Sequence, residues 1–191
     1  MAAFALWSAN AVAEPVTVRD AFGRDVTVPA PPQRIVTIFA SNTEMVAALG
    51  LANRIVGIEA FTRFPPEVLG KPLVGGRLGF SVDAVVDRKP DLVVVTPARQ
   101  AANQLVEPME RLGIPVLVLL HRRVPEILDN IRLLGKICGV PERGEALAAE
   151  LRARLDKVEK QVEGLPRPSV VMITGSPWTA APLRRSRPRR C

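Results

Sequence analysis

From residue 34 onward the chain alternates, without an internal sequence repeat, between a short apolar run rich in β-branched residues and a stretch with apolar residues at helical spacing. The apolar runs are "RIVTIFA" (34–40), "RIVGIE" (54–59), "DLVVVT" (91–96) and "PVLVLL" (115–120). Between and after them come "SNTEMVAALG" (41–50), "SVDAVVDRKP" (81–90), "QAANQLVEPMERLG" (100–113) and "VPEILDNIRLLGKICG" (124–139). A strand half exposed to water alternates polar and apolar residues; these runs do not, so both faces must be covered. Strands of that kind, each followed by a helix, predict an α/β fold: a mostly parallel sheet covered by helices. Ser41, Asn42 or Thr43 is placed to cap the first helix, which Gly50 stops, and Ser81 to cap the second. Ahead of residue 34, "VTVRDAFGRDVTVP" alternates around Phe22-Gly23-Arg24 and predicts a hairpin on the sheet edge.

The pattern changes after residue 140. "ERGEALAAELRARLDKVEKQVE" (142–163) consists of strong helix formers and predicts a helix about 33 Å long at 1.5 Å per residue. "RPSVVMITG" then begins a further strand over 168–174. The sequence thus reads as an N-terminal α/β lobe (16–140), a connecting helix (141–164) and the opening strand of a second lobe, followed by a basic, disordered tail (175–191).

The 191 residues carry a net charge of +7, which falls to +2 without Arg184, Arg185, Arg187, Arg189 and Arg190 of that tail. The globular part is therefore nearly balanced. With no Tyr in the chain and few aromatics to stack bases, nucleic acid is not an expected partner. A rival reading keeps the tail as the contact to nucleic acid or to an acidic protein. Residues 1–13 are apolar and end on Ala11-Val12-Ala13 before Glu14, the small-x-small pattern of a signal segment, too short to span a bilayer. No Lys or Arg precedes that run, and a packed or disordered N-terminal arm is the alternative. Cys138 lies in an apolar helix pattern and Cys191 is the last residue, so no disulfide framework is expected.

Enzyme motifs are absent. "GGRLG" does not have dinucleotide-loop spacing, "TGSPW" lacks the second glycine of a nucleophile elbow, and His121, the one histidine, has no partner at zinc-ligand spacing. No cofactor and no metal site is expected. In an open α/β sheet, ligands bind where loops leave the carboxyl ends of the strands. Those loops carry Ser41 and Asn42, then Phe61, Arg63 and Phe64, then Arg99, then His121, Arg122 and Arg123, while "VGGRLGF" adds Arg77 and Phe80. Guanidinium groups pair with carboxylate or catecholate oxygens and stack on rings, so Arg and Phe on one rim suit an anionic ligand with a flat or apolar surface. A solvated loop charge explains any one of these arginines equally well.

The stretch "VTVRDAFGRDVTVPAPPQRIVTIFASNTEMVAALGLANRIVGI", followed by "FTRFPPEVLGKPLVGG", "FSVDAVVDRKPDLVVV" and "LGIPVLVL", resembles the substrate-binding proteins of ABC importers for ferric siderophores, haem and corrinoids. The likeness runs from about Val16 to Thr174. It implies a periplasmic protein in which two α/β lobes, joined by one long helix, hold a ligand between them. This chain supplies the first lobe and the helix. Beyond Thr174 the residues turn to Pro, Ala, Ser and Arg, the composition of a GC-rich gene read out of frame, so a truncated or frameshifted product is expected, with a natural basic tail as the alternative. By match to the family, Phe61 and Arg77 fall at ligand-contact positions, and the expected ligand set is Ser41, Asn42, Phe61, Arg63, Arg77, Phe80, Arg99 and His121. The resemblance further implies docking on the importer's membrane subunits through an acidic residue, here Asp83, which is also well placed to favour the dipole at a helix N-terminus. A ferric siderophore is the expected ligand, with cobalamin or haem as alternatives, haem being lowered by the lack of Tyr.

Overall fold

The structure, a computed structural model, describes residues 14–29, 31–76, 79–96 and 99–169, with residues 99–103 described by their backbone. The expected signal segment, residues 170–174 of the strand expected over 168–174, the basic tail and Arg77 lie outside the described residues.

Strands β3 (Ile35–Ile38), β4 (Ile55–Glu59), β5 (Leu73–Gly76), β7 (Leu92–Val95) and β8 (Val116–Val118) run parallel, with the short β6 (Gly79–Phe80) antiparallel on the β5 edge; across the sheet the order is β6-β5-β4-β3-β7-β8. Helices α1 (Ala40–Val46), α2 (Val82–Val86), α3 (Arg99–Arg111), α4 (Val124–Ile137) and α5 (Pro141–Val162) complete the fold. β5 and β6 were not legible in the sequence, because "LVGGRLGF" is too rich in glycine to register as a strand pair.

Two-sided burial follows the strand period. Ile35, Leu92, Val94, Leu117 and Leu119 enter a core shared with β1 (Val16–Arg19), β2 (Asp25–Val28), α1, α4 and α5, whereas Val36, Ile38, Val93, Val95, Val116 and Val118 enter a second core under α2 and α3. Adjacent residues thus feed opposite cores, the physical basis of the continuous apolar runs.

The hairpin departs from the sequence reading. β1 (Val16–Arg19) and β2 (Asp25–Val28) pair only with each other and form a separate two-stranded sheet. Its turn reaches the β8 edge: Ala21 N–H donates to the Val118 carbonyl at 3.0 Å and Arg24 to the Val116 carbonyl at 3.0 Å. Arg24 also pairs with the buried Asp20, whose carboxylate accepts from the backbone of Phe22 and Arg24. That arrangement covers an edge that would otherwise present open backbone groups.

The long helix is not a connector alone. Gly144 and Ala148 of α5 are buried against α4, and Ala148 belongs to the first core, so the lobe's packing continues past residue 140. Beyond them Val158, Val162 and Leu165 stand more than half exposed.

Candidate functional site

The parallel strands lie in an order in which the chain moves from β3 to β4 and β5 on one side, then returns to β7 and β8 on the other. The reversal falls between β3 and β7. Loops leaving neighbouring strands diverge at such a point and leave a crevice at the carboxyl edge. Because β3, β4 and β8 run parallel, the loops that leave them emerge at one edge of the sheet.

The first loop is one residue, Phe39, between β3 and α1. It has φ 89° and ψ 129°, outside the regions open to residues with a side chain, and it is the N-cap of α1 without a side-chain capping bond. A residue so placed costs about 1–3 kcal/mol and persists only where its surroundings enforce it. The enforcement is visible. Behind Phe39, Asn42 is fully buried; its side-chain amide donates to the Ile38 carbonyl at 2.7 Å, and its Oδ1 accepts from Thr96, just after β7, at 3.2 Å. Thr43 and Thr37 share a buried hydroxyl bond of 2.7 Å. The expected caps Ser41, Asn42 and Thr43 therefore lie inside the first turn of α1, where Asn42 and Thr43 serve to pin the strand ends, and Asn42 has no surface to offer a ligand.

Ser41 does face the rim, and its Oγ is 2.9 Å from His121 Nε2 in the loop after β8. This bond spans from β3 across β7 to β8. His121 Nδ1 and, in the loop after β4, Thr62 Oγ1 are buried with no partner among the described residues. Burial pushes the His121 pKa below its ordinary value, partly offset by the Glu126 carboxylate. The neutral imidazole is favoured because a proton on Nδ1 would be shut away without an acceptor. Since the folded-state pKa lies below the unfolded value of about 6.5, the unfolded chain takes up the proton first, and stability falls as pH drops below that value. Denaturant unfolding at pH 7.5 and 5.5 should show this loss, and His121→Gln should flatten it. Parallel curves for the two proteins would count against the assignment.

The loop after β4 carries Phe61 and Phe64. With Phe39 they expose 55%, 59% and 51% of their surface respectively, so three rings stand in solvent on one rim. The Arg63 guanidinium turns back on its own loop, donating to the Ala60 carbonyl at 2.7 Å and the Thr62 carbonyl at 3.0 Å. Burial raises the pKa of Glu59 at the end of β4, against the backbone of Ala40 and the charge of Arg63. Arg123 pairs with Glu126, which also accepts from the Arg122 and Arg123 backbone, so this end of the rim is taken up in starting α4. Phe80 is half-buried against the second core. Arg99 begins α3, and Asp83 is exposed in the first turn of α2, whose cap Ser81 accepts from Ala84 N–H at 3.2 Å as expected. Sequence reasoning missed Phe39, because it read as the last apolar residue of a buried strand; the signal available was an aromatic at the strand–helix junction with no connecting residues.

The exposed rings and the Ser41–His121 bond thus share the edge where the strands end, and comparison with known proteins gives the family. Residues 35–189 match the family of periplasmic binding proteins. The chain belongs to that family. The match continues past Thr174, the point to which the sequence resemblance was expected to run. An uncharacterised ABC transporter substrate-binding lipoprotein of Bacillus subtilis, YvrC, is 29% identical over 151 residues, covering 78% of this chain and 48% of its own length. A vitamin B12-binding protein of Vibrio cholerae is 28% identical over 133 residues, with coverage of 70% and 48%. Among solved structures, a periplasmic haem-binding protein from Pseudomonas aeruginosa superposes with a TM-score of 0.61 at 28% identity, covering 69% of this chain and 47% of that one. The chain thus spans about half the length of the curated relatives it matches. The relatives are binding proteins rather than enzymes, and among the described residues no helix is long and apolar enough to cross a membrane.

Proposed function

We propose that this periplasmic binding protein chain forms one wall of a site for a metal chelate with a broad apolar or planar face, in a substrate-binding protein that is exported and hands its ligand to the membrane subunits of an ABC importer. The observation that carries this reading is the rim of Phe39, Phe61 and Phe64, three half-exposed rings grouped at the carboxyl edge beside the switch point. Aromatic faces grouped at the carboxyl edge suit stacking and edge contacts with a macrocycle. His121 and Ser41 supply polar groups at the other end of the rim. Relatives that bind vitamin B12 and haem support a corrinoid or haem-like ligand. A ferric siderophore with anionic donors is the competing ligand, and it is less well served because Arg63 is turned to its own loop carbonyls. Asp83, exposed on α2, is the docking residue of this proposal, its charge free to meet a cation of the importer.

A wall that supplies half of the contacts binds weakly. Micromolar affinity is about −8 kcal/mol, and half of that is millimolar. The test is therefore a titration of the isotopically labelled chain followed by amide chemical shifts, with cyanocobalamin, haemin and a ferric tris-catecholate as probes. Cyanocobalamin or haemin should shift residues 39–41, 61–64 and 121 together with an affinity in the millimolar range. Shifts confined to other surfaces, or none from any probe, would overturn the proposal; a response to the catecholate alone would transfer it to siderophores.

A further inference from the structure

Phe39 occupies the one-residue junction between a parallel strand and the helix that follows it, at the strand beside which the sheet order reverses. Such a junction is tight. It forces the residue to positive φ and lifts its side chain clear of the sheet, the device by which hydrolases of this fold class expose a nucleophile. Here the lifted group is a phenyl ring. Glycine is the residue that adopts φ 89° at least cost, and the chain uses glycine at six of the seven other described positions of positive φ, the seventh being Lys89 at φ 48°. At Phe39 it does not, although the ring is half exposed and so adds little to the core. The buried Asn42 and the Thr37–Thr43 pair hold the junction in place from behind, without help from the ring.

We infer that Phe39 is a specificity-determining residue of the site, a stacking platform presented at the switch point on a strained elbow whose conformation the backbone sets and whose ring serves the ligand alone. This rests on the proposed chelate-binding reading and adds to it the residue that selects for a flat, apolar ligand face. Phe61 and Phe64 belong to a longer loop; Phe39 lies directly between a strand and a helix and so sets the plane against which the ligand lies.

The inference makes stability and binding move in opposite directions. Phe39→Gly removes the side chain from a position of positive φ, so the urea midpoint should rise or stay unchanged, while affinity for cyanocobalamin or haemin in the shift titration should fall about tenfold with the loss of one stacking face. Phe39→Leu keeps bulk and strain and should weaken binding of the flat probes without raising stability. A Phe39→Gly protein that unfolds at lower urea would mean that the ring is a packing residue, and equal affinity in both variants and parent would mean that the ligand does not touch it; either result overturns the inference while leaving the rim itself standing. A parent chain that shows no rim response to any probe instead removes the binding reading, and this assignment with it.

Discussion

Replacing Gly135 by valine should cost about 3 kcal/mol or more and shift the urea midpoint accordingly, without any change in the exposed rim residues. On propensity alone the sign would be opposite, because glycine inside an exposed helix is about 1 kcal/mol less favourable than alanine. Packing decides. A Cβ at residue 135 would sit 2.9 Å from the Gly144 Cα, 3.1 Å from the Val140 carbonyl oxygen and 3.2 Å from the Gly144 nitrogen. All three are backbone atoms, so no side chain can rotate away, and α5 must move off α4. The reciprocal site is as tight: a Cβ at Gly144 would meet the Ile131 carbonyl oxygen at 3.1 Å. Displacing α5 withdraws Ala148 from the first core. Gly135→Ala is the milder test and should also destabilise. A midpoint equal to the parent's for the valine variant would show that the two helices are not held at this contact.

The second large effect is expected at Asn42. Its amide joins the end of β3 to the segment after β7 and is wholly buried, so Asn42→Asp puts a carboxylate where the Ile38 carbonyl now receives an N–H. An uncompensated buried charge costs about 3–5 kcal/mol, and the protein escapes it by keeping the carboxyl protonated. The pKa of that aspartate would be raised in the folded state. The sign follows: the folded form binds the proton more readily than the unfolded one, so the deficit against the parent is greatest at pH 7 and shrinks as pH falls. Unfolding curves at pH 7 and pH 4.5 check this, with Asn42→Leu as the uncharged comparison, its deficit of about 2 kcal/mol independent of pH. A deficit for Asn42→Asp that does not change with pH would mean that water reaches residue 42. The same variants should blur the rim shifts in the chelate titration, since the Phe39 junction loses its support.

How much of this was legible beforehand differs from element to element. Four of the parallel strands, the helices between them and the Ser81 cap follow from apolar runs and capping residues that act over a few positions. The long helix was equally plain, because 22 residues of strong helix formers leave no alternative local structure. Where glycine thins the signal, as in β5 and β6, local sequence gave nothing to read; that pairing exists because β4 offers an edge. The hairpin and its position at a sheet edge were legible, but not which edge or that it forms a separate sheet, since its attachment to β8 rests on Arg24 and Ala21 reaching backbone carbonyls over ninety residues away.

At the site, sequence alone determined which residue types leave the strand ends, because that is a matter of order along the chain. Phe61, Arg63 and His121 are on the rim for that reason. Tertiary structure decided what each of them does. It placed Asn42 behind the rim rather than on it, tied Arg63 to its own loop, joined Ser41 to His121 across two strand spacings, and turned Phe39 outward at a junction that reads in sequence as the end of a buried strand. The physical reason is the same in each case. Local propensity fixes which segments become strands and helices, but the direction of a side chain at a strand end is set by the backbone angle at the junction and by hydrogen bonds to partners distant in sequence, and neither is written in the residues nearby.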